Sequence, residues 1–277
     1  METRDLESSF LYDTEDAIMT GHHRQLPRHE GAAVPELHLA GVRLQRGPTT
    51  VFEGLELRLT ERHIGLIGHN GVGKTSLLRL LCGLEVPDAG QVRRNGQDIH
   101  GEADGRLRSQ WLGMMFQNPD DQIIFPIVEE ELALGLQPQG YRKREAIEAA
   151  RHFLAERGLG DWAGRAVSSL SQGQRQHVCW LAMLLAGPAT LLLDEPYASL
   201  DMPGQARLSD ELWASTRQLI VSTHQLDHVR HYPRVIWLDQ GRIRADGPGE
   251  AVCAAYEAEV HRLVATRRGQ QASCTGS

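Results

Sequence analysis

Eight residues at positions 68–75 have the types and spacing of a phosphate-binding loop. They read Gly-His-Asn-Gly-Val-Gly-Lys-Thr and fit the pattern G-x-x-x-x-G-K-[ST]. Glycines let the backbone bend tightly, so that several N–H groups converge on one anion. The Lys74 ammonium can reach the β- and γ-phosphates of a nucleotide, and the Thr75 hydroxyl can ligate Mg²⁺. We therefore predict that phosphates are bound by Gly68, Asn70, Gly71, Gly73, Lys74, Thr75 and Ser76.

The flanking sequence favours this interpretation over an ordinary glycine-rich turn. Residues 63–67 read as a short buried strand, and residues 76–81 read as an apolar helix whose N-terminus points at the bound anion. Lys74 and Lys143 are the only lysines in the chain. Almost all other permanently charged basic residues of the chain are arginines. The lysine in this loop therefore indicates that a guanidinium group could not replace the ammonium there.

A second candidate for chemistry is the acidic pair Asp194 and Glu195, which directly follows the apolar run Leu191–Leu193. Asp194 would hold Mg²⁺ through its water shell, and Glu195 would polarise the attacking water as a general base. An acidic strand end followed by a turn is the simpler interpretation. The phosphate loop in the same chain favours the catalytic one.

A third candidate is the segment Leu170–Gln174, which reads Leu-Ser-Gln-Gly-Gln and precedes a helical pattern over 175–186. Ser171 and the Gly173 amide would lie at the helix N-terminus, where free N–H groups and the helix dipole favour an anion. From this segment alone, a plain N-cap role is the favoured interpretation of Ser171. Asp201 would also be a helix N-cap, because a Met-Pro pair follows it and proline is common in the first helical turn.

Apolar strands alternate with helical patterns along most of the chain. This order predicts an α/β fold, with a mostly parallel sheet and helices on both of its faces. The segments 37–44 and 51–59 alternate apolar and polar residues, which predicts an antiparallel sheet at one edge. Further strands are expected at 91–94, 111–116, 190–193, 219–222 and 235–238, turns at 86–90 and 95–96, and helices at 127–136, 142–157 and 175–186.

Composition excludes several classes of protein. The 277-residue chain has a net charge of −7, which argues against nucleic acid as its main partner. It has no run of about 18 apolar residues to span a membrane, and its acidic N-terminus lacks the apolar segment of a secretory signal. The four scattered cysteines are typical of free thiols in a reducing compartment. Residues 1–34 are polar and are expected to be a disordered extension, with metal binding by His22, His23 and His29 as the alternative.

In their order and spacing these motifs resemble the nucleotide-binding subunit of ABC transporters, from about residue 36 to about residue 250. The resemblance matches 68–75 to the Walker A motif, 170–174 to the signature motif (usually LSGGQ) and 199–201 to the D-loop. It also matches the Q-loop glutamine to Gln117, the Walker B aspartate and catalytic glutamate to Asp194 and Glu195, and the switch histidine to His224.

The resemblance implies a P-loop NTPase with a RecA-like, mostly parallel sheet over residues 35–255. An antiparallel β subdomain and a helical signature subdomain, at about 119–186, would belong to it, and a C-terminal helix and flexible tail would follow over 256–277. It further implies an ATPase in which two subunits stack head to tail, with ATP between one subunit's Walker A motif and the other's signature motif. The implied roles are catalysis by Glu195, His224 and Gln117, nucleotide contacts from Ser171, Gly173, Gln174 and Asp201, and Mg²⁺ binding by Thr75, Gln117 and Asp194.

A finer likeness lies in residues 115–123, Met-Phe-Gln-Asn-Pro-Asp-Asp-Gln-Ile, and continues over 128–135. This stretch looks like the energy-coupling-factor subgroup, which imports vitamins and transition-metal ions. In that subgroup the Q-loop region receives a coupling helix from an integral membrane protein, and a separate membrane protein binds the cargo. The likeness implies a peripheral ATPase at the cytoplasmic face of the cell membrane, which powers the uptake of a cargo such as biotin, cobalt or nickel.

Several alternatives stay open at this point. The cargo is not encoded in this chain, and the second ATPase subunit is either another copy, which the complete set of motifs favours, or a paralogue. A soluble ABC ATPase without a transport role and an ATP-binding regulatory switch are the rival functions. A second cassette or a long coiled-coil insertion, which often mark the soluble class, is not found in the sequence.

Three positions depart from the family's pattern. Gln172 replaces the first glycine of the signature, where a side chain could crowd the γ-phosphate or slow closure. His177 stands where the family often has arginine. The expected adenine-stacking aromatic is missing, and Arg46 could stack its guanidinium on the base instead. Phe52 is the less favoured substitute, because its place in an alternating strand predicts core packing.

Overall fold

The computed structural model describes residues 33–101 and 105–274. Strands and helices alternate along this part of the chain, as the sequence predicts. In chain order they are β1 (Leu37–Arg46), β2 (Thr49–Leu59), β3 (His63–Ile67), α1 (Lys74–Leu81), β4 (Ala89–Arg94), β5 (Gln97–Asp98), α2 (Gly105–Trp111), β6 (Leu112–Met115), α3 (Val128–Leu134), α4 (Lys143–Glu156), α5 (Gln172–Ala186), β7 (Thr190–Asp194), α6 (Met202–Ala214), β8 (Gln218–Ser222), β9 (Arg234–Asp239), β10 (Arg242–Gly247) and α7 (Gly249–Cys274).

The main sheet has six strands in the order β10-β9-β3-β8-β7-β6. All neighbours pair in parallel except β10, which returns antiparallel to β9. Every residue of β3, β7 and β8 is buried, as expected for central parallel strands that are covered on both faces. The predicted mostly parallel sheet is confirmed.

Successive side chains of the central strands pack in different hydrophobic clusters, on opposite faces of the sheet. Leu192 of β7 packs in one cluster with Leu77 of α1. Its neighbour Leu191 packs in another cluster, with Trp180 of α5 and Leu212 of α6. Because side chains alternate across a strand, helices therefore cover both faces of the sheet, as predicted.

The antiparallel subdomain forms a second sheet in the order β2-β1-β4-β5. Strand β1 pairs antiparallel with β2 and with β4, which confirms the antiparallel sheet expected from 37–44 and 51–59. The hairpin from β4 to β5 turns at Asn95 and Gly96, with φ of 48° and 80°. Positive φ at both residues is typical of a tight two-residue hairpin turn, and Asn-Gly is its favoured sequence.

The helical subdomain packs around its own core, which is built from α3, α4 and α5. Helix α4 buries Ala146, Ala150, Phe153 and Leu154, the spacing of a one-sided amphipathic helix. Helix α5 is buried on two sides, because it packs against this core and against the main sheet. This double burial explains why its sequence is apolar on most sides.

Three element boundaries differ from the sequence-based expectation. Trp111 ends α2 and does not begin the expected strand 111–116, so that β6 is limited to Leu112–Met115. Helix α5 begins at Gln172, before the expected residue 175, because the preceding serine caps it. Helix α7 begins at Gly249 and continues through Cys274. The side chains of the expected disordered tail at 267–271 lie outside the described part of the chain, so its disorder stays a prediction.

Three further observations concern the N-terminal extension, the helices and the cysteines. Most of the extension expected at residues 1–34, with its three histidines, lies outside the described residues. Within the described residues, no helix has both the length and the apolar character needed to cross a membrane. Cys82, Cys179 and Cys253 are free thiols, and burial raises the pKa of Cys179 to about 12, which is consistent with a packing role.

Candidate functional site

The phosphate loop connects the end of β3 to the start of α1, as predicted. Gly73 precedes the helix with φ 105°, and Gly68 follows the strand with φ 143°. A Cβ atom at Gly68 would lie 2.2 Å from the Leu238 carbonyl oxygen, and one at Gly73 would lie 2.8 Å from the Phe52 ring. Both positions therefore require glycine by conformation and by space. Phe52 itself is fully buried in the core, which confirms its expected packing role.

Lys74 is the first residue of α1, and only 7% of it is exposed. Its Nζ atom donates to the carbonyl oxygens of Gly68, at 2.8 Å, and His69, at 3.2 Å. Burial lowers the pKa of Lys74, and the nearby charges of Glu195 and Asp194 oppose that shift. The ammonium is thus confined to the loop, beside two carboxylates. Asn70 and Gly71 are exposed, while Ser76 is buried under the loop.

The Thr75 hydroxyl donates a hydrogen bond of 2.6 Å to Oδ2 of Asp194. Thr75 lies in the first turn of α1, and Asp194 is the last residue of β7, so two elements meet at one point of the sheet edge. A hydroxyl and a carboxylate are hard oxygen donors, which Mg²⁺ prefers.

The surroundings of Asp194 fit a metal that is shared with phosphates. Ser222 lies opposite Asp194 in the register of β7 and β8 and is fully buried. Its Oγ has no hydrogen-bond partner among the described residues, so the site has a buried hydroxyl left for a ligand or its water shell. No group of three or more His, Cys, Asp or Glu in the described ranges could hold a metal alone. The donor set therefore fits Mg²⁺ that is completed by nucleotide oxygens.

Glu195 and His224 form a hydrogen-bonded pair. Oε2 of Glu195 lies 2.8 Å from Nδ1 of His224 and accepts the backbone N–H of the same histidine at 3.3 Å. Glu195 has φ 49°, a left-handed conformation that is unfavourable for glutamate, and its N–H donates to Ser222 O at 2.9 Å. The strained residue follows β7 and its partner follows β8, so the sequence-predicted base and switch histidine come together at adjacent strand ends.

Gln117 follows β6 by two residues and is exposed. Strand β6 pairs with β7, with Met115 opposite Leu193, so this glutamine leaves the same edge of the sheet as Asp194. The 3₁₀ turn Pro119–Asp121 comes next, and its N-cap Asn118 accepts the N–H of Asp120 at 3.2 Å. The region after β6 is therefore an exposed, locally capped loop.

The signature segment begins α5. The Ser171 hydroxyl accepts the N–H of Gln174 at 3.2 Å, and the Gln174 side chain accepts the Ser171 N–H at 3.0 Å. This reciprocal arrangement is a capping box, so the plain N-cap role of Ser171 is confirmed. Gln172 is exposed in the first turn, and Gly173 approaches the Ser199 carbonyl, which lies 3.1 Å from the position of a Cβ.

Sequence reasoning missed the residues that join the signature segment to the loop after β6. Arg175 donates to the Leu170 carbonyl at 2.9 Å and pairs with Asp120 at 3.0 Å. Glu131, a buried carboxylate of α3, accepts the N–H groups of Ile124 and Phe125 at 2.9 and 2.8 Å. The run of three glutamates at 129–131 gave no sign that two of them, Glu129 and Glu131, are buried.

The remaining predicted residues lie further from these pairs. Asp201 caps α6 and accepts the Gly204 N–H at 2.9 Å, so its N-cap interpretation is confirmed. Arg46 forms a bidentate ion pair with Glu85, with N···O distances of 2.9 and 2.6 Å. The stacking of Arg46 on adenine stays a prediction that competes with this pair. His177 packs edge-on against Trp162 inside the helical subdomain, and burial lowers its pKa.

Comparisons with known proteins agree with this geometry. The family model described as ABC transporter matches residues 53–198. The chain is 40% identical over 227 residues to the biotin transport ATP-binding protein BioM of Rhodobacter capsulatus, covering 82% of this chain and 96% of that protein. It is 38% identical over 234 residues to the nickel import ATP-binding protein NikO of the same organism, covering 79% and 92%.

A third relative is the energy-coupling factor transporter ATP-binding protein EcfA1 of Streptococcus thermophilus, at 34% identity over 186 residues, covering 66% of this chain and 67% of that protein. Among solved structures, cbiO1 of Clostridium perfringens, part of the ABC transporter complex cbiONQ, aligns with a TM-score of 0.67 and 26% identity. That alignment covers 83% of this chain and 94% of the other. The chain belongs to the ABC transporter family, and it is an ATP-binding subunit of the energy-coupling-factor type, an ATPase.

Proposed function

We propose that this chain is the ATP-hydrolysing subunit of an energy-coupling-factor importer, which takes up a vitamin or a transition-metal ion through membrane partners. One observation carries the proposal. The Thr75–Asp194 and Glu195–His224 pairs lie at neighbouring strand ends beside the buried Lys74. Phosphoryl transfer requires these parts together, namely charge on the β- and γ-phosphates, ligands for Mg²⁺ and a group that activates water.

The residues divide this chemistry between them. Thr75, Gln117 and Asp194 would hold Mg²⁺, which supplies charge neutralisation on the phosphates when it is bound. Lys74 adds a fixed positive charge at the loop. Glu195 accepts a proton from the attacking water, and His224 orients the carboxylate through their 2.8 Å contact.

The second ATP-binding surface is the start of α5. Ser171, Gly173 and Gln174 form the capped N-terminus of α5, and the positive end of this helix's dipole favours the phosphates of a nucleotide that a second subunit holds. Asp201 lies in the adjacent loop and would meet the same neighbour. We favour a homodimer, because one chain carries all of the motifs, with a paralogue as the alternative partner.

A groove beside the loop after β6 is the proposed contact with the membrane protein. It has a volume of about 440 Å³, and Ile124 at its rim is 72% exposed. The Arg175–Asp120 ion pair forms part of its wall and joins it to the start of α5. A helix that docks here could therefore move the signature segment. The groove is lined by Asp120, Ile123, Ile124, Phe125, Pro126, Val167, Ser168 and Arg175.

The cargo is proposed from the relatives. One is named for biotin transport and another for nickel import, at nearly equal identity, so the proposal is a vitamin such as biotin or a metal ion such as nickel or cobalt. The chain would work at the cytoplasmic face of the cell membrane, as the peripheral partner of a coupling protein and a cargo-binding membrane protein.

Affinity purification of the tagged full chain from detergent-solubilised membranes of its native host tests this proposal. We expect mass spectrometry to identify a multi-helix coupling protein and a small membrane protein that binds the cargo. Recovery of only soluble proteins, by a chain that hydrolyses ATP, would contradict the transport function and favour a soluble ABC ATPase. Recovery of a nucleotide-loaded chain that does not turn over ATP would favour a regulatory switch.

A further inference from the structure

Two aromatic side chains outside the sequence motifs stack on each other, close in sequence to the proposed catalytic pair Glu195 and His224. The rings of Tyr197 and His228 have centroids 3.7 Å apart and planes inclined by only 12°. Tyr197 lies two residues after Glu195, in the loop that follows β7. His228 lies four residues after His224, at the end of the 3₁₀ turn Leu226–His228 that follows β8. The stack therefore joins the two loops that carry the base and its histidine partner.

Each residue of the stack also forms hydrogen bonds to residues of its own loop or the helix that follows it. Tyr197 is 1% exposed, and its carbonyl oxygen accepts the Leu200 N–H at 3.2 Å and the Gln205 side chain at 3.3 Å. The Nε2 atom of His228 lies 2.9 Å from Oε1 of Gln225. Burial lowers the pKa of His228, so near neutral pH its ring is uncharged and can donate through that nitrogen.

The chain of contacts continues to the catalytic histidine. Gln225 follows His224 directly, and its N–H donates to the Thr223 hydroxyl at 3.0 Å. The backbone N–H of His224 donates to Glu195. A closed loop of contacts thus runs from Glu195 through Tyr197, His228 and Gln225 to His224 and back to Glu195. The ring stack is therefore a second contact between the two loops, in addition to the hydrogen bonds between Glu195 and His224.

Glu195 needs such support because of its backbone conformation. A glutamate with φ 49° persists only where its surroundings hold it, and two backbone hydrogen bonds, to Ser222 and from Ala198, flank it. A catalytic group displaced by about 1 Å can lose on the order of a hundredfold in rate. A rigid contact between the loops would keep the carboxylate and the imidazole in register through each cycle.

We propose that Tyr197 and His228 are positioning residues, whose ring stack fixes the Glu195–His224 pair so that the base and the switch histidine move as one unit. The proposal rests on the proposed role of Glu195 as the base. Its competitor is that the stack only fills space in the core, in which case its loss would change stability and not the efficiency of the chemical step.

The test compares ATP turnover in full-length variants. His228→Leu keeps apolar volume but removes the aromatic face, and we expect kcat to fall by about tenfold, with KM and the affinity for a fluorescent ATP analogue within about twofold. His228→Phe keeps a ring for the stack and is expected to restore kcat to within about threefold of the parent chain. The matched control is Trp213→Leu, which removes a ring stacked on His63 at 5.1 Å, and it should leave both constants unchanged.

Three outcomes separate the possibilities. A parental kcat in His228→Leu overturns the proposal, and so does a phenylalanine variant that loses as much kcat as the leucine variant. A fall in kcat and nucleotide affinity together would also overturn it, because a general structural defect produces that result. The variant Glu195→Gln tests the underlying function separately. If Glu195→Gln keeps its ATP turnover, Glu195 is not the base. If Glu195→Gln loses its turnover while His228→Leu keeps the kcat of the parent chain, only the positioning role is contradicted.

Discussion

The Nδ1 atom of His224 lies 2.8 Å from the Oε2 atom of Glu195, although 29 positions separate the two residues in the chain. Parallel pairing of β7 and β8 produces this contact, because it brings the carboxyl ends of both strands to one edge of the sheet. Thr75 and Asp194 meet at the same edge, at 2.6 Å. Four residues from three segments of the sequence thereby form one cluster at the carboxyl ends of the strands.

We predict that the phosphate loop requires lysine at position 74. Lys74 is buried, and its ammonium fits between the carbonyls of Gly68 and His69. In Lys74→Arg the larger guanidinium cannot occupy this space, and we expect ATP to bind at least about tenfold more weakly, roughly 1.4 kcal/mol. Isothermal titration with ATP and Mg²⁺ would measure the change.

Lys143 offers a matched control, since it is the only other lysine and is 70% exposed beside Glu130. Lys143→Arg should bind ATP as the parent chain does. Equal affinity in both variants would show that the loop does not select lysine.

Ser171 caps α5 and is also the proposed contact to a nucleotide of the second subunit, and two substitutions separate these roles. Ser171→Ala removes the acceptor for the Gln174 N–H and is expected to cost about 1 kcal/mol of stability. Ser171→Asp keeps an acceptor, so its stability should stay near that of the parent chain, but its charge opposes the γ-phosphate across the dimer. We expect the aspartate variant to lose most of its ATP turnover.

Chemical denaturation and steady-state ATPase assays measure these two quantities. An aspartate variant with full turnover would argue against a nucleotide contact at this helix start. A stable alanine variant would argue against the cap.

Burial of neutral histidines makes the stability depend on pH. Burial lowers the pKa of His63, His100, His177 and His228 below the ordinary value of about 6.5. Below about pH 6.5 these histidines therefore bind more protons in the unfolded chain than in the folded chain. The stability from these groups is complete above about pH 6.5 and is lost as the pH falls through their folded values.

We expect the melting temperature to fall between about pH 7 and pH 5. His177→Phe, which keeps a ring against Trp162 and cannot be protonated, should reduce this fall. His152→Gln serves as the control, because His152 is 65% exposed and should contribute little. A melting temperature that does not change over this range would contradict the prediction.

The groove beside the loop after β6 should bind the membrane partner through its apolar rim. Ile124→Ser removes the rim's exposed apolar side chain, and we expect less of the coupling protein to copurify from membranes. Leu84→Ser is the matched control, since Leu84 is 58% exposed and is not among the groove residues. Thermal unfolding would verify that both variants fold. If both variants recover the partner equally, the groove is not the contact.

Local sequence pattern predicted the central strands well, because a strand that is buried on both faces consists of a continuous apolar run. The apolar runs at 190–193 and 219–222 were expected as strands, and both are wholly buried central strands of the sheet. Strand β10 was missed, since Arg242–Gly247 lies at the edge of the sheet and its residues are only partly buried. An edge strand needs no continuous apolar run, so its sequence resembles a loop.

Motif spacing likewise predicted which residues meet at the strand ends, but not the partners that hold them. The Arg46–Glu85 and Arg175–Asp120 pairs join residues 39 and 55 positions apart, and nothing in either local sequence selects its partner. The Tyr197–His228 stack has the same origin, because it depends on two loops that only the sheet brings together.

The central claim is that ATP hydrolysis at Glu195 powers uptake of a vitamin or metal ion. The most direct measurement is uptake of radiolabelled biotin, nickel and cobalt by native host cells that lack this chain and carry either the parent sequence, Glu195→Gln or the surface control Glu148→Gln. We predict that the parent and the control restore uptake of one cargo, while Glu195→Gln abolishes it. The purified Glu195→Gln chain should also lose at least about a hundredfold in turnover and accumulate as an ATP-bound dimer. Undiminished uptake with Glu195→Gln, or equal uptake of every cargo with and without the chain, would contradict the account.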